Sequence, residues 1–142
     1  MTYKEIKKSI ISILKSLYLN EKVYGIETVK GYTPPCLFVN ITPVVTERSV
    51  NVKRKICAVE ILRMQRTVDE ADALDFFERV EDALHPKLVV GDRYLNTSDF
   101  QASYMGEDMN VPLIEFSIEF YERVNKEDNA KLMKKVEIRE EL

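Results

Sequence analysis

The segment Pro112 to Val124, PLIEFSIEFYERV, constrains the fold more than any other part of the chain. Ile114, Phe116, Ile118 and Phe120 alternate with Glu115, Ser117, Glu119 and Tyr121. Successive side chains of a strand point to opposite faces, so the pattern predicts a strand with one face on a core and the other in water. The wet face then carries carboxylates and a tyrosine, a surface that another molecule can meet.

A chain of 142 residues is expected to form one domain, burying roughly two thirds of its unfolded surface. Apolar residues at 45 % and charged residues at 32 % fit a folded, highly soluble chain rather than a disordered one. A net charge of −3 and a pI near 5.3 argue against general duplex binding, which needs clustered Lys and Arg against phosphates. Lys53, Arg54 and Lys55 form the one tight basic run, read as a solvated strand end. No apolar run approaches the roughly 20 residues that span a bilayer. The opening MTYKEIKKSI lacks the apolar core and small-residue cleavage site of a secretory signal. Cys36 and Cys57 have no metal-type spacing and sit in apolar runs, where a buried free thiol is usual. A reducing cytoplasm is the expected compartment.

Thr2 and Glu5 have capping-box spacing, and Ile6, Ile10, Ile13, Leu14 and Leu17 follow at helical steps, predicting an amphipathic helix over about residues 3 to 19. Asn20 suits its end, and Val23 to Val29 reads as a short strand. After Gly31-Tyr32-Thr33-Pro34-Pro35, the run Cys36 to Thr42 is apolar on both faces, as in a covered sheet. Val50 to Met64 reads as a long strand whose apolar register changes partway, which predicts a β-bulge near Arg54 to Ile56. Pro43 to Ser49 reads as the loop between these two strands.

Thr67 and Glu70 repeat the capping-box spacing, and Ala73, Phe76, Phe77, Val80 and Leu84 build a second helical stripe. Pro86 pushes the residue before it out of the helical region, so this helix should end near His85. Val89 to Asp92 predicts a short strand and turn, and Phe100, Ala102 and Tyr104 another strand. Gly106 to Asn110 then leads into the strand described first. The order predicts an α+β domain over residues 1–124, a mostly antiparallel sheet with two amphipathic helices on one face. Residues 125–142 form a charged tail in which Met133, Val136 and Ile138 suit either a short strand or a short helix, a candidate contact with a neighbouring subunit.

Catalytic equipment is sparse. His85, the single histidine, is expected to cap carbonyls at a helix end rather than to move protons. Asp69, Glu70, Asp72 and Asp75 crowd a helix start, where the macrodipole favours anions, and no His or Cys lies near enough in sequence to suggest a transition metal. No Gly-x-Gly phosphate cradle and no nucleophile elbow is present. The sequence therefore predicts no catalytic residues, no metal site, no cofactor and no enzymatic activity.

Binding surfaces are easier to find. Lys4, Lys7, Lys8 and Lys15 charge the first helix, whereas Asp69, Asp72, Asp75, Glu78, Glu81 and Asp82 charge the second. Solvated faces account for this, but opposite patches would also set the direction of contact in a ring of identical subunits. Assembly measured at rising salt tests that idea. Val44, Val45 and Arg48 in one loop and Met109 and Val111 in another, with Glu115, Glu119 and Tyr121 on the wet strand face, make the candidate partner-binding set.

The layout resembles the small phage tail terminator-like family found in phages and prophages of low-GC Gram-positive bacteria. The similarity runs through the opening helix, Tyr24 with its short strand, and the step Pro35-Cys36-Leu37-Phe38. It continues through the basic-flanked strand Lys53 to Leu62, the acidic helix ending near Leu84, the strand Leu113 to Tyr121 and the Lys-Leu-Met-Lys-Lys-Val run at 131 to 136. The strand reading IEFSIEFY departs from the His/Phe flavour common in the family. The resemblance implies a virion structural protein, a tail terminator. Such proteins form rings, usually hexameric, that cap the tail tube, stop its polymerisation and offer a head-joining surface. It further implies contact with the tail tube protein and with a sheath, neck or connector protein, and assembly in the host cytoplasm. It implies neither membrane association nor specific nucleic-acid binding, and it leaves open a complete phage or a headless tail-like particle. Two readings compete: another neck or tail-completion protein, and a small-ligand-binding regulatory α+β domain with a concave pocket.

Overall fold

A computed structural model describes residues 1–28 and 30–124. Val29 and the tail residues Met133, Val136 and Ile138 lie outside the described residues, as does the rest of 125–142. Within them run α1 (Tyr3–Leu17), β1 (Lys22–Tyr24), β2 (Cys36–Arg48), β3 (Val52–Met64), α2 (Glu70–Leu84), β4 (Lys87–Val90), β5 (Arg93–Met105) and β6 (Val111–Arg123). The six strands form one sheet in the order β1-β2-β3-β6-β5-β4. Only the β1–β2 pair is parallel; the others are antiparallel. The fold is α+β, with both helices on one face of a sheet that curls until β2 and β4 each touch α1.

The expected alternation of β6 holds. Ile114, Phe116, Ile118 and Phe120 are buried beneath the helices, with Cys57, Val59 and Ile61 of β3 beside them. Ile6, Ile10 and Leu14 of α1 and Phe76, Val80 and Leu84 of α2 close the core with no solvent exposure, each contributing about 1.5–3 kcal/mol on burial. The capping box at α1 is present: Thr2 Oγ1 accepts from Glu5 N–H at 3.2 Å, and Glu5 accepts from Thr2 N–H at 3.4 Å. The first helix ends two residues earlier than expected, at Leu17, and β1 stops at Tyr24.

Other expectations are corrected. Pro43–Ser49 is not a loop, because β2 continues to Arg48 and Ser49 closes a tight hairpin onto Val52. The bulge lies in β2, where Val44 is the extra residue between Pro43 and Val45, and not at Arg54–Ile56. Proline has no N–H to give the ladder, which makes its neighbourhood the cheaper place for the break. β3 keeps a single alternation, with Lys53, Lys55, Cys57, Val59, Ile61 and Arg63 in register toward the helices. α2 is capped by Asp69, whose carboxylate accepts from Ala71 N–H at 3.0 Å, rather than by Thr67. The strand expected around Phe100 begins at Arg93; Asp99, at φ 57°, breaks its alternation and hides its first half from a reading by period. His85 ends α2 as expected, yet among the described residues its ring bonds no carbonyl. Thr97 Oγ1 donates to Leu84 O at 2.8 Å, while the His85 ring lies against Phe100 with Nδ1 3.3 Å from Thr97 Oγ1.

Candidate interaction surface

Both helices lie on one side, so the opposite sheet face is uncovered by helix among the described residues. Directly opposed residues share a face, and the register therefore sorts this open face into rows. Nearest the β2–β3 hairpin stand Glu47, Arg54 and Tyr121. The next row holds Val45, Ile56, Glu119 and Asn96, then come Thr42, Ala58, Ser117 and Ser98. Asn40, Glu60, Glu115 and Gln101 follow. Toward the far end come Tyr24, Phe38, Leu62 and Leu113, with Ser103 at the β5 end of the row. Tyr32 adds to it edge-on to Phe38, with ring centroids 5.1 Å apart.

Charge is distributed unevenly along these rows. Arg54 Nε donates to Glu119 at 2.7 Å, Arg54 also pairs with Glu47 at 3.3 Å, and the Tyr121 hydroxyl donates to Glu119 at 3.2 Å. The hydrogen bond from Arg54 holds the Glu119 carboxyl below the usual carboxylate range. Glu60 and Glu115, by contrast, face each other directly and half-buried, with no cation recorded beside either among the described residues. Like charges directly opposite are unfavourable. In the same row Asn40 Oδ1 is buried without a hydrogen-bond partner. The row sets two opposed carboxylates between the side-chain amides of Asn40 and Gln101.

The basic run of the sequence is divided between faces by the strand period. Arg54 lies on the open side, whereas Lys55 turns to the helix side, pairs with Glu122 at 2.7 Å and approaches the Tyr3 and Phe120 rings. The two charged helices share one sheet face and touch each other, so their patches are neighbours within one copy. Asp72 and Asp75 are engaged internally, by Arg63 and Arg79.

Arg63 is the buried hub at the end of β3. It makes two hydrogen bonds to Glu21, reaches Asp72 with Nε at 3.0 Å and lies 4.4 Å from the Tyr18 ring centre. Burial works against its charge, but the hydrogen bonds it donates to Glu21 and Asp72 outweigh it and the guanidinium pKa is raised. Strand alternation from Val59 and Ile61 could have marked Arg63 as inward-facing, although nothing in the sequence names its partners.

The candidate residues from sequence fall into separate places. Val45, Glu119 and Tyr121 stand in adjacent rows at the hairpin end of the open face, and Glu115 two rows further along. Val44 protrudes at the bulge, 59 % exposed. Arg48 ends β2 in register with Lys53, on the helix-side alternation. Met109 and Val111 belong to the opposite end of the sheet, where Met109, at φ 52°, lines a groove with Val68, Asp69 and Tyr104. The reading by sequence passed over Glu47, Ile56 and Glu60, whose cross-strand neighbours follow only from the register.

The family model described as phage tail terminator protein matches residues 5–130. No curated protein matches the chain at the level taken as significant. A solved structure is similar over 88 % of this chain and 97 % of its own, at 17 % identity and a TM-score of 0.49. No described helix is long and apolar enough to cross a membrane.

Proposed function

Because the chain belongs to the phage tail terminator family, we propose that it caps the tail tube as a homo-oligomeric ring, stops tube growth and offers the surface on which the head is joined. The family is one of virion tail structural proteins, and the reading is of a part that binds rather than reacts. A tube of stacked rings grows because each ring offers the next the face it itself used. A cap must fit the tube on one face and withhold that face on the other.

The observation that carries the reading is the open sheet face, where Glu60 and Glu115 oppose each other beside an Asn40 Oδ1 that has no partner among the described residues. A partner that brings lysine or arginine side chains would relieve the carboxylate opposition and satisfy the buried acceptor, which suits a protein–protein contact. Val44, Val45, Glu119 and Tyr121 extend that contact toward the hairpin end. Met109 and Val111 supply a second contact at the far end, as a part with tube on one side and neck or connector on the other requires. A hexamer, assembled in the host cytoplasm, is the oligomer proposed, with the segment 125–142 reaching a neighbouring subunit.

The test is deletion of this chain from the producing particle, followed by electron microscopy. Tails of irregular, extended length without heads are expected. Tails of normal uniform length joined to heads would overturn the reading.

A further inference from the structure

The sheet has two unfinished margins. β1 pairs only with Cys36–Phe38, so β2 from Val39 to Arg48 has no strand on its outer side among the described residues. On the other margin β4 pairs only as far as Asn96, and the Thr97 N–H still reaches Pro86 O at 2.9 Å. From there to Met105, β5 has no outer strand among the described residues.

An unpaired strand edge is a ready template for another chain, and proteins that remain single guard such edges with lysine, proline, bulges or covering loops. Each margin here has one interruption, Pro43 with the Val44 bulge on β2 and the Asp99 bulge on β5. No lysine stands on either stretch. Both expose apolar side chains, Val44 at 59 % and Met105 at 40 %.

Direction suits a second copy as the occupant. β2, β3, β6 and β5 alternate in sense, so β2 and β5 run opposite ways. Two copies in the same orientation therefore meet β2 against β5 as an antiparallel pair, with helix layers on one side and open faces continuous. Such a contact is heterologous: each copy uses one margin and presents the other, and the series ends only by closing on itself.

We propose that a second copy of this chain completes each margin, β2 from Val39 to Arg48 of one copy adding to β5 from Ser98 to Met105 of the next. This rests on the homo-oligomeric reading above and specifies its contact.

Cysteine cross-linking tests it. Thr42→Cys and Ser103→Cys lie on the open face of the two margins, both at exposed positions, while the native Cys36 and Cys57 are fully buried. A short bismaleimide is applied to the assembled oligomer, isolated from solution or on tail ends. The double variant should give a ladder beyond the dimer, a mixture of the two single variants should give dimers alone, and neither single variant by itself should cross-link. A cross-link in one single variant alone would reveal a two-fold contact and overturn the proposal. No cross-link, in material that light scattering shows to be oligomeric, would overturn the proposal and leave the ring standing. A monomer both in solution and on tail ends would overturn the oligomeric reading and the proposal with it.

Discussion

Arg54 Nε lies 2.7 Å from a Glu119 carboxylate oxygen, joining β3 to β6 across the open sheet face. The pair is solvent-facing, and exposed ion pairs contribute little to stability. Its use is therefore better sought in recognition. Arg54→Ala should leave the thermal midpoint of the isolated chain close to wild type, yet weaken capping, with more over-long tails by electron microscopy. A variant that caps normally would remove this end of the face from the proposed contact.

Arg63 should behave in the opposite way. Its guanidinium is held by Glu21 and Asp72 against the Tyr18 ring, and removing one member of a buried ion network leaves the others unpaired. Arg63→Met should cost about 3 kcal/mol, read from urea unfolding. The loss in the Arg63→Met/Asp72→Asn double variant should fall short of the sum of the single losses, because the two residues share one interaction.

Acid should weaken the fold through Asp72 and Glu122. Burial raises the Asp72 carboxyl, but hydrogen bonds from Arg63 and Gln65 bring it below its ordinary 3.8. The hydrogen bond from Lys55 brings Glu122 below 4.5. Folded values below unfolded ones give stability that is complete above the unfolded pKa and is lost as pH falls through the folded pKa. The urea-midpoint gap between wild type and Asp72→Asn should therefore narrow between about pH 5 and about pH 3. A gap constant across that range would refute the assignment.

Helix capping offers a direct comparison. Asp69→Ala removes the acceptor for Ala71 N–H and should cost about 1 kcal/mol. Thr67→Ala, outside the cap, should leave the midpoint nearly unchanged. Equal losses would mean that the helix start has been misplaced.

The two thiols should be silent in the native state. Burial pushes Cys57 up to about 11 and raises Cys36, and both are fully enclosed. Maleimide labelling near neutral pH should be slow in buffer and rapid in denaturant. Fast native labelling would show that the sheet opens locally at β2 or β3.

Periodicity made much of the fold legible before any coordinates. The alternation from Ile114 to Phe120, the stripe from Ile6 to Leu17 and the stripe from Ala73 to Leu84 each describe burial against a neighbouring layer, and local pattern records that burial directly. The same is true of the cap at Thr2 and of the helix end before Pro86, which depend on residues a few positions apart. Misreadings came where the period was interrupted. Val44 and Asp99 are single extra residues, and each reverses the apparent face of everything beyond it.

The order β1-β2-β3-β6-β5-β4 was decided by tertiary structure alone, because strand pairing joins residues far apart in the chain and leaves no local signature. That order sets Glu60 opposite Glu115, gives Arg54 its partner in Glu119, sends Met109 away from Tyr121 and, among the described residues, leaves β2 beyond Phe38 and β5 beyond Thr97 without an outer strand. Sequence determined which side chains must be hidden. Only the folded sheet determined which of the rest stand side by side, since register converts separate alternations into one shared face.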